Sequence, residues 1–228
     1  MKGVLLAAGK GERLKNITEL IPKPMILYKG KPVLEYNIEL CRKSGITDLY
    51  INTFHLAEKI TSYFKNGSQF GVNITYSHEK ELFGTAGALN SFKEHLTEPF
   101  FVIYGDQVSD YNLELLEKKF NETKAIGVIG FHYRKETIHS GVAEFDKDSR
   151  ITRFVEKPKP GESDSHWVNA GIYFLSPRIF DYINHGYADF GKDIFPDLLK
   201  ANVPIYGVCE NIPVKVFDTP EMYRENIK

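Results

Sequence analysis

Cysteine, methionine and tryptophan are scarce: two, three and one among 228 residues. Cys41 and Cys209 stand far apart, one in a helical and one in a strand pattern, with no His pair at metal spacing. That excludes a disulfide framework and a zinc site, and leaves two buried free thiols in a reducing compartment as the expectation. No uninterrupted apolar stretch reaches the ~18 residues of a spanning helix. The first apolar strand pattern begins at residue 3, which leaves no room for a leader, so a cytoplasmic location away from membranes is expected. The formal net charge is −1 and no basic run occurs, which argues against a nucleic-acid partner. Seven histidines are scattered without metal or acid–base spacing. No Gly-x-Ser-x-Gly elbow is present, so no protein nucleophile presents itself. Internal repeats and Gly-, Ser- or Pro-rich linkers are also missing.

What remains is an ordinary globular composition, 42% hydrophobic and 26% charged, long enough for one α/β domain with a buried sheet. The first half alternates apolar runs with helical patterns. Strands are predicted at 3–7, 48–52, 72–76, 100–104 and 125–133. Helices are predicted from Pro32 to Gly45, from Leu56 to near Gly67, from Thr85 to Leu96, and over the stripe Leu113, Leu116 and Phe120, with Asp110 as its cap. This alternation implies right-handed crossovers and a mostly parallel sheet. After residue 135, short strands at 141–145, 151–156 and 167–175 enclose a polar segment, 157–166, of the kind that closes over substrates. Helices around 177–184 and 192–201 follow.

The opening Leu5-Leu6-Ala7-Ala8-Gly9-Lys10-Gly11-Glu12-Arg13-Leu14, followed by Pro22-Lys23-Pro24, is the most telling stretch. A strand runs into a glycine turn that carries two cations. A dinucleotide fingerprint would need glycine where Leu14 stands, and a Walker A loop would need Gly-Lys-Ser/Thr after four free positions. Glycines let the backbone approach phosphates, Arg13 can grip two oxygens, and prolines stiffen the loop that aims Lys23. These features suit a polyphosphate.

Gly9-x-Gly11-x-Arg13-Leu14 with Pro22-Lys23-Pro24 resembles the signature of the sugar-1-phosphate nucleotidylyltransferases. Gly84-Thr85-Ala86-Gly87-Ala88-Leu89, Gly105-Asp106, Gly141-Val142, Val155-Glu156-Lys157-Pro158 and Asn169-Ala170-Gly171-Ile172-Tyr173 agree in order and spacing, up to roughly residue 200. The resemblance implies a single Rossmann-like three-layer α/β domain with a mostly parallel mixed sheet. Its nucleotide-binding half would cover about 1–135 and its sugar-phosphate half about 136–228. The implied partners are a nucleoside triphosphate and a sugar 1-phosphate, with self-association left open, and the implied cofactor is Mg²⁺.

Residue by residue, the resemblance gives the nucleotide to Leu6, Ala7, Ala8, Gly9, Gly11, Arg13, Gly84 and Thr85, and catalysis to Arg13, Lys23 and Asp106. The sugar phosphate falls to Gly141, Glu156, Lys157 and Asn169. Asp106 ends a buried strand, where open α/β sheets bind ligands, and a hard carboxylate there suits Mg²⁺. The family's second metal aspartate comes from an Asp-x-Gly-Thr-Pro-Glu stretch. This chain reads Val216-Phe217-Asp218-Thr219-Pro220-Glu221, so Asp218 is either a displaced metal ligand or the cap of the last helix.

The opening and the Gly84–Leu89 segment resemble the mannose- and heptose-1-phosphate guanylyltransferase branch, which favours GTP and a role in cell-surface polysaccharide precursors. Uridylyl- and cytidylyltransferases share parts of the opening and stand as alternatives. A non-catalytic nucleotide-sugar sensor would keep the fold without the chemistry. A glycosyltransferase would want an Asp-x-Asp after a strand, and Asp146-Lys147-Asp148 falls instead in a turn.

Overall fold

The computed structural model describes residues 1–226, except the side chains of Lys15 and Asn16. In chain order it contains β1 (Lys2–Leu6), β2 (Leu27–Tyr28), β3 (Lys31–Pro32), α1 (Val33–Lys43), β4 (Asp48–Thr53), α2 (Ala57–Phe64) and β5 (Asn73–His78). There follow α3 (Gly84–Gly87), β6 (Phe100–Tyr104), β7 (Gln107–Val108), α4 (Leu113–Thr123), β8 (Gly127–Tyr133), β9 (Gly141–Phe145), β10 (Ile151–Glu156) and β11 (Trp167–Leu175). The chain ends with α5 (Phe195–Lys200), β12 (Ile205–Glu210), β13 (Lys215–Val216) and α6 (Pro220–Asn226). The architecture is α/β on a mixed sheet. Its residues fall into two compact units: 1–82, 103–110 and 214–228 form the first, and 83–102 with 111–213 form the second.

In the first unit β1 pairs with β4, and β4 with β5, all parallel. Val4 and Leu5 are fully buried, as a strand covered on both faces requires. Helix α1 buries Leu34, Ile38 and Cys41 along one stripe, and ends at Ser44 with Gly45 at φ +74°, a left-handed stop that favours glycine. Pro32 precedes this helix rather than opening it, because it belongs to the small antiparallel pair β2–β3. Helix α2 buries Ile60 and Phe64 and stops at Lys65, before Gly67. A second antiparallel pair, β7–β13, joins Val216 to Gln107 and Lys215 to Val108. Phe217, fully buried, anchors that pair against Leu14, Ile26, Tyr28 and Val33.

In the second unit β8 lies between β11, antiparallel, and β12, parallel, while β9 pairs antiparallel with β10 and β11. Helix α4 is capped by Asn112, whose side chain accepts from Glu114 N, and not by the expected Asp110. Asn112 immediately precedes the first helical residue, where a side-chain oxygen can meet an orphan N–H. The expected long helix after Gly84 is one α turn that tightens into a 3-10 helix over Ala88–His95. The helix expected at 192–201 is a π turn, Phe190–Ile194, that gives way to α5 near Pro196, whose missing N–H breaks the regular ladder. The polar segment 157–166 is pinned to β9: Ser163 bonds to Glu144 Oε1 and Ser165 to the Ala143 carbonyl. Cys41 is buried as expected, but Cys209 is exposed. Strand β12 turns that side chain outward.

Candidate functional site

The turn after β1 is held from behind. Ala7 N donates to Asn52 Oδ1 at 2.8 Å, and Asn52 Nδ2 donates to Glu79 Oε1 at 2.7 Å. Asn52 and Glu79 are buried at the ends of β4 and β5, where an open parallel sheet displays its loops. Sequence reasoning misses both; polar residues ending apolar strands are the available sign. Leu6 O accepts from Gly105 N at 2.9 Å, so the turn carrying Asp106 sits directly beside this one.

Gly9 has open space where a Cβ would stand, whereas Gly11 adopts φ +65° and a Cβ there would lie 2.7 Å from Thr18 Cγ2. Gly11 therefore shapes the turn, and Gly9 leaves its face clear. Arg13 follows in a 3-10 helix, Glu12–Ile17, with a mostly exposed guanidinium.

Four charges from separate segments converge here. Lys23, between its prolines in a 3-10 turn, is nearly buried. Its Nζ donates to Asp106 Oδ2 at 2.5 Å and to Asp218 Oδ1. Arg13 Nη2 reaches Asp218 Oδ2 at 3.2 Å. Burial alone would lower the Lys23 pKa, but the two carboxylates outweigh it and hold the ammonium charged above its ordinary range. The β7–β13 pairing brings Asp218 near Asp106, since Val216 opposite Gln107 sets the chain just past β13 beside the chain just before β7. Thr219 supplies a cap bond to Met222 N in the last helix. Asp218 faces the cations.

The expected residues of the second unit form a different arrangement. Gly84 has φ +75°, and a Cβ on it would lie 2.4 Å from Ala188 O; on Gly87 it would lie 2.3 Å from Gly186 O. These glycines admit the backbone of 186–188. The Thr85 hydroxyl donates to Asp189 Oδ2 at 3.1 Å and accepts from Phe190 N at 2.9 Å. Gly141 lies opposite Glu156 across β9–β10, and a Cβ on it would lie 2.7 Å from Glu156 Oε2. The Glu156 carboxyl is pushed above its usual range by burial first and by Asp189 second, against the pull of Lys157 and Lys192. Lys157 holds φ +52° with its N–H on Ser140 O. Left-handed backbone costs a side-chain-bearing residue on the order of 1 kcal/mol, and such strain collects at functional positions. Asn169 commits its carbonyl to Gly171 N and its amide to Tyr173 Oη, across an irregularity in β11.

Among the described residues no three His, Cys, Asp or Glu side chains gather as a metal cage. Asp106 and Asp218 do offer hard oxygens to one point, now filled by a lysine ammonium. Mg²⁺ commonly takes only one or two carboxylates, completing its shell with water and phosphate oxygens, so the pair fits it. No described helix is long and apolar enough to cross a membrane.

An α/β fold on a mixed sheet carries a glycine turn and a converging set of charged side chains, and sequence comparison names the class. The family profile described as Nucleotidyl transferase matches residues 2–212, and the chain belongs to that family. It is 40% identical over 223 residues to a UTP–glucose-1-phosphate uridylyltransferase of Synechocystis, covering 91% of this chain and 58% of that protein. It is 34% identical over 201 residues to the mannose-1-phosphate guanyltransferase beta-B of Xenopus laevis, covering 86% of this chain and 55% of that one. The chain thus spans little more than half the length of these curated relatives. The crystal structure of HddC from Yersinia pseudotuberculosis superposes with a TM-score of 0.83 at 23% identity, over 99% of this chain and 97% of that one, a likeness of fold.

Proposed function

We propose that the chain is one nucleotidyltransferase domain, with nucleotide-handling residues mainly before about residue 135 and sugar-handling residues after it, and that it joins a nucleoside triphosphate to a sugar 1-phosphate. A sugar-phosphate oxygen attacks the α-phosphorus, its new P–O bond replaces the one to the β-phosphate, and pyrophosphate leaves with the electron pair. Several negative oxygens must come together, so positioning and charge neutralisation carry the reaction.

Backbone groups of Leu6, Ala7, Ala8, Gly9 and Gly11 cradle the triphosphate. Arg13 braces the departing pyrophosphate, and Lys23 neutralises charge at the α-phosphate. Asp106 and Asp218 would hold Mg²⁺, which supplies a further positive charge against the phosphate oxygens when bound. The turn from Gly84 presents backbone N–H and C=O groups to the nucleoside. Glu156 accepts from sugar hydroxyls, Lys157 pairs with the sugar's phosphate, and Gly141 and Asn169 shape the surrounding backbone.

The observation that carries this reading is the convergence of Arg13, Lys23, Asp106 and Asp218 from four stretches of chain. The 40% identity to the uridylyltransferase, against 34% to the guanyltransferase, favours UTP with glucose 1-phosphate. GTP with mannose or heptose 1-phosphate is the second reading, supported by the Ala7-Ala8-Gly9 opening and the Gly84–Leu89 motif. The test is pyrophosphate release from each nucleoside triphosphate, Mg²⁺ and a panel of sugar 1-phosphates. Nucleotide binding without release from any pair would leave a sensor.

A further inference from the structure

Sequence patterns give no role to the segment from Gly186 to Asp193, yet the second unit ties two expected ligand sites to it. Ala86 N and Gly87 N both donate to Ala188 O, at 2.9 and 3.0 Å, and Ala188 N donates to Phe83 O at 2.9 Å. The side chains continue the seam. The Thr85 hydroxyl gives its one proton to Asp189 Oδ2 and takes the N–H of Phe190. The other oxygen, Asp189 Oδ1, accepts from Gly191 N at 3.0 Å and Lys192 N at 3.1 Å. Asp189 N in turn donates to Asp193 Oδ2 at 2.8 Å. At the far end of this segment a Cβ on Gly191 would lie 2.6 Å from Glu156 Oε2, so the backbone there forms one wall of the Glu156 carboxylate.

Two consequences follow from these bonds. The hydroxyl of Thr85 is committed on its donor side, so it has no proton left for a nucleobase. The placement of Glu156 depends on where the backbone of Gly191 runs, and that backbone is fixed by the carboxylate of Asp189. Only about 0.5 Å of looseness separates a productive site from a poor one, which makes such supporting bonds consequential.

We infer that Thr85 and Asp189 are positioning residues that touch neither substrate: together they latch the Gly84–Gly87 turn and the Glu156 carboxylate into a single geometry. This rests on the reading of that turn as nucleoside-facing and of Glu156 as sugar-facing. Loosening the latch therefore weakens the grip on both substrates, although Thr85 lies on the nucleotide side alone. A residue contacting only the nucleoside would disturb one Michaelis constant; a cap serving only stability would lower Tm without a defined change in either.

The experiment uses the full chain and whichever pair the wild type turns over, UTP with glucose 1-phosphate or GTP with mannose 1-phosphate. Pyrophosphate release is followed with each substrate varied in turn, beside thermal unfolding. Thr85→Val removes the hydroxyl at nearly constant shape, and we expect KM to rise roughly tenfold for both substrates, the effect of one lost buried hydrogen bond. Thr85→Ser restores both values, since it returns the hydroxyl. Asp189→Asn gives the same two-sided rise from the other end, and decides the matter if Thr85→Val does not fold. The double variant costs no more than the worse single one, because both break one seam. A rise in the nucleotide KM alone, or no rise in either, on an active wild type overturns the latch while sparing the transferase reading. A wild type that releases no pyrophosphate from any pair overturns both.

Discussion

The two units solve different problems with different means. The first assembles ionised side chains from distant stretches of chain, and they satisfy one another: Lys23 with Asp106 and Asp218, and Asp218 with Arg13. In the second, polar side chains of the candidate site hold local backbone: Asp189 Oδ1 accepts from Gly191 N and Lys192 N, the Thr85 hydroxyl from Phe190 N, and Asn169 Oδ1 from Gly171 N. Gly9 fronts open space, while Gly11 in the same turn and Gly84, Gly87, Gly141 and Gly191 in the second unit are small because something is packed against them. A site built from mutually paired charges can trade partners when polyphosphate arrives, whereas one walled by backbone is pre-shaped and reorganises little. Under the proposed function, charge neutralisation falls to the first unit and recognition of shape to the second.

The sharpest way to break this contrast is to remove a charge from the first unit. Asp106→Ala should lower turnover by about 10²- to 10³-fold with the fold intact, as loss of preorganised charge stabilisation does. Near-normal pyrophosphate release in Mg²⁺ would remove Asp106 from the site. Asp218→Ala belongs beside it: a collapsed rate at unchanged Tm supports a cation ligand, and a lowered Tm at retained rate supports a structural role for that aspartate.

Next in size is a stability effect. Lys23→Met leaves Asp106 and Asp218 facing one point with only Arg13, on Asp218, as a cation. Removing one partner of a buried pair costs ~3–5 kcal/mol, and the cost here should fall below that because the two carboxylates keep 30% and 22% of their exposure. Millimolar Mg²⁺ or Mn²⁺ should recover more of the lost Tm in this variant than it adds to the wild type. Equal shifts in both would show that the carboxylate pair attracts no divalent ion.

In the second unit the same kind of change should act oppositely on stability. Glu156 has a raised carboxyl pKa in the folded protein, so its ionised form is a cost of folding above that value, and the cost vanishes below the ordinary 4.5. Glu156→Gln should therefore raise Tm at neutral pH, lose that advantage as the solution becomes acidic, and raise the sugar-phosphate KM. Scanning calorimetry across pH measures the first two effects; a variant that is less stable at neutral pH would contradict the assignment.

The smallest effects should separate two glycines of one turn. Gly11→Ala forces a methyl into left-handed backbone against Thr18, a cost of about 1–2 kcal/mol and a Tm loss of about 2–4 °C for each kcal/mol. Gly9→Ala should leave Tm nearly unchanged and act on the nucleotide KM alone. Identical thermal losses would mean that Gly9 is structural too.

Much of the fold is legible in the chain itself. Strands β1, β4, β6 and β8 announce themselves as apolar runs, and the order of the motifs from Gly9 to Asn169 points to the family that the comparison gives. Boundaries are harder where two local preferences compete. Asp110 and Asn112 are both good caps, and only the position of the first buried helical residue, Leu113, selects Asn112. Pro196 falls inside the helix expected around 192–201, yet it stands at the start of α5, after a π turn over Phe190–Ile194. The buried relay from Ala7 through Asn52 to Glu79 is harder to read, because a polar residue ending an apolar strand is the one local sign and its burial and its partners come from other strands.

Periodicity and glycine placement, which depend only on near neighbours along the chain, are enough to specify the α/β class and to single out Arg13, Lys23 and Asp106. Whether Asp218 stands near them cannot be read from a stretch two residues out of step with the familiar pattern. The β7–β13 pairing and the buried ring of Phe217 decide that, since hydrogen-bond register and apolar burial join Gln107 to Val216 as readily as they join near neighbours.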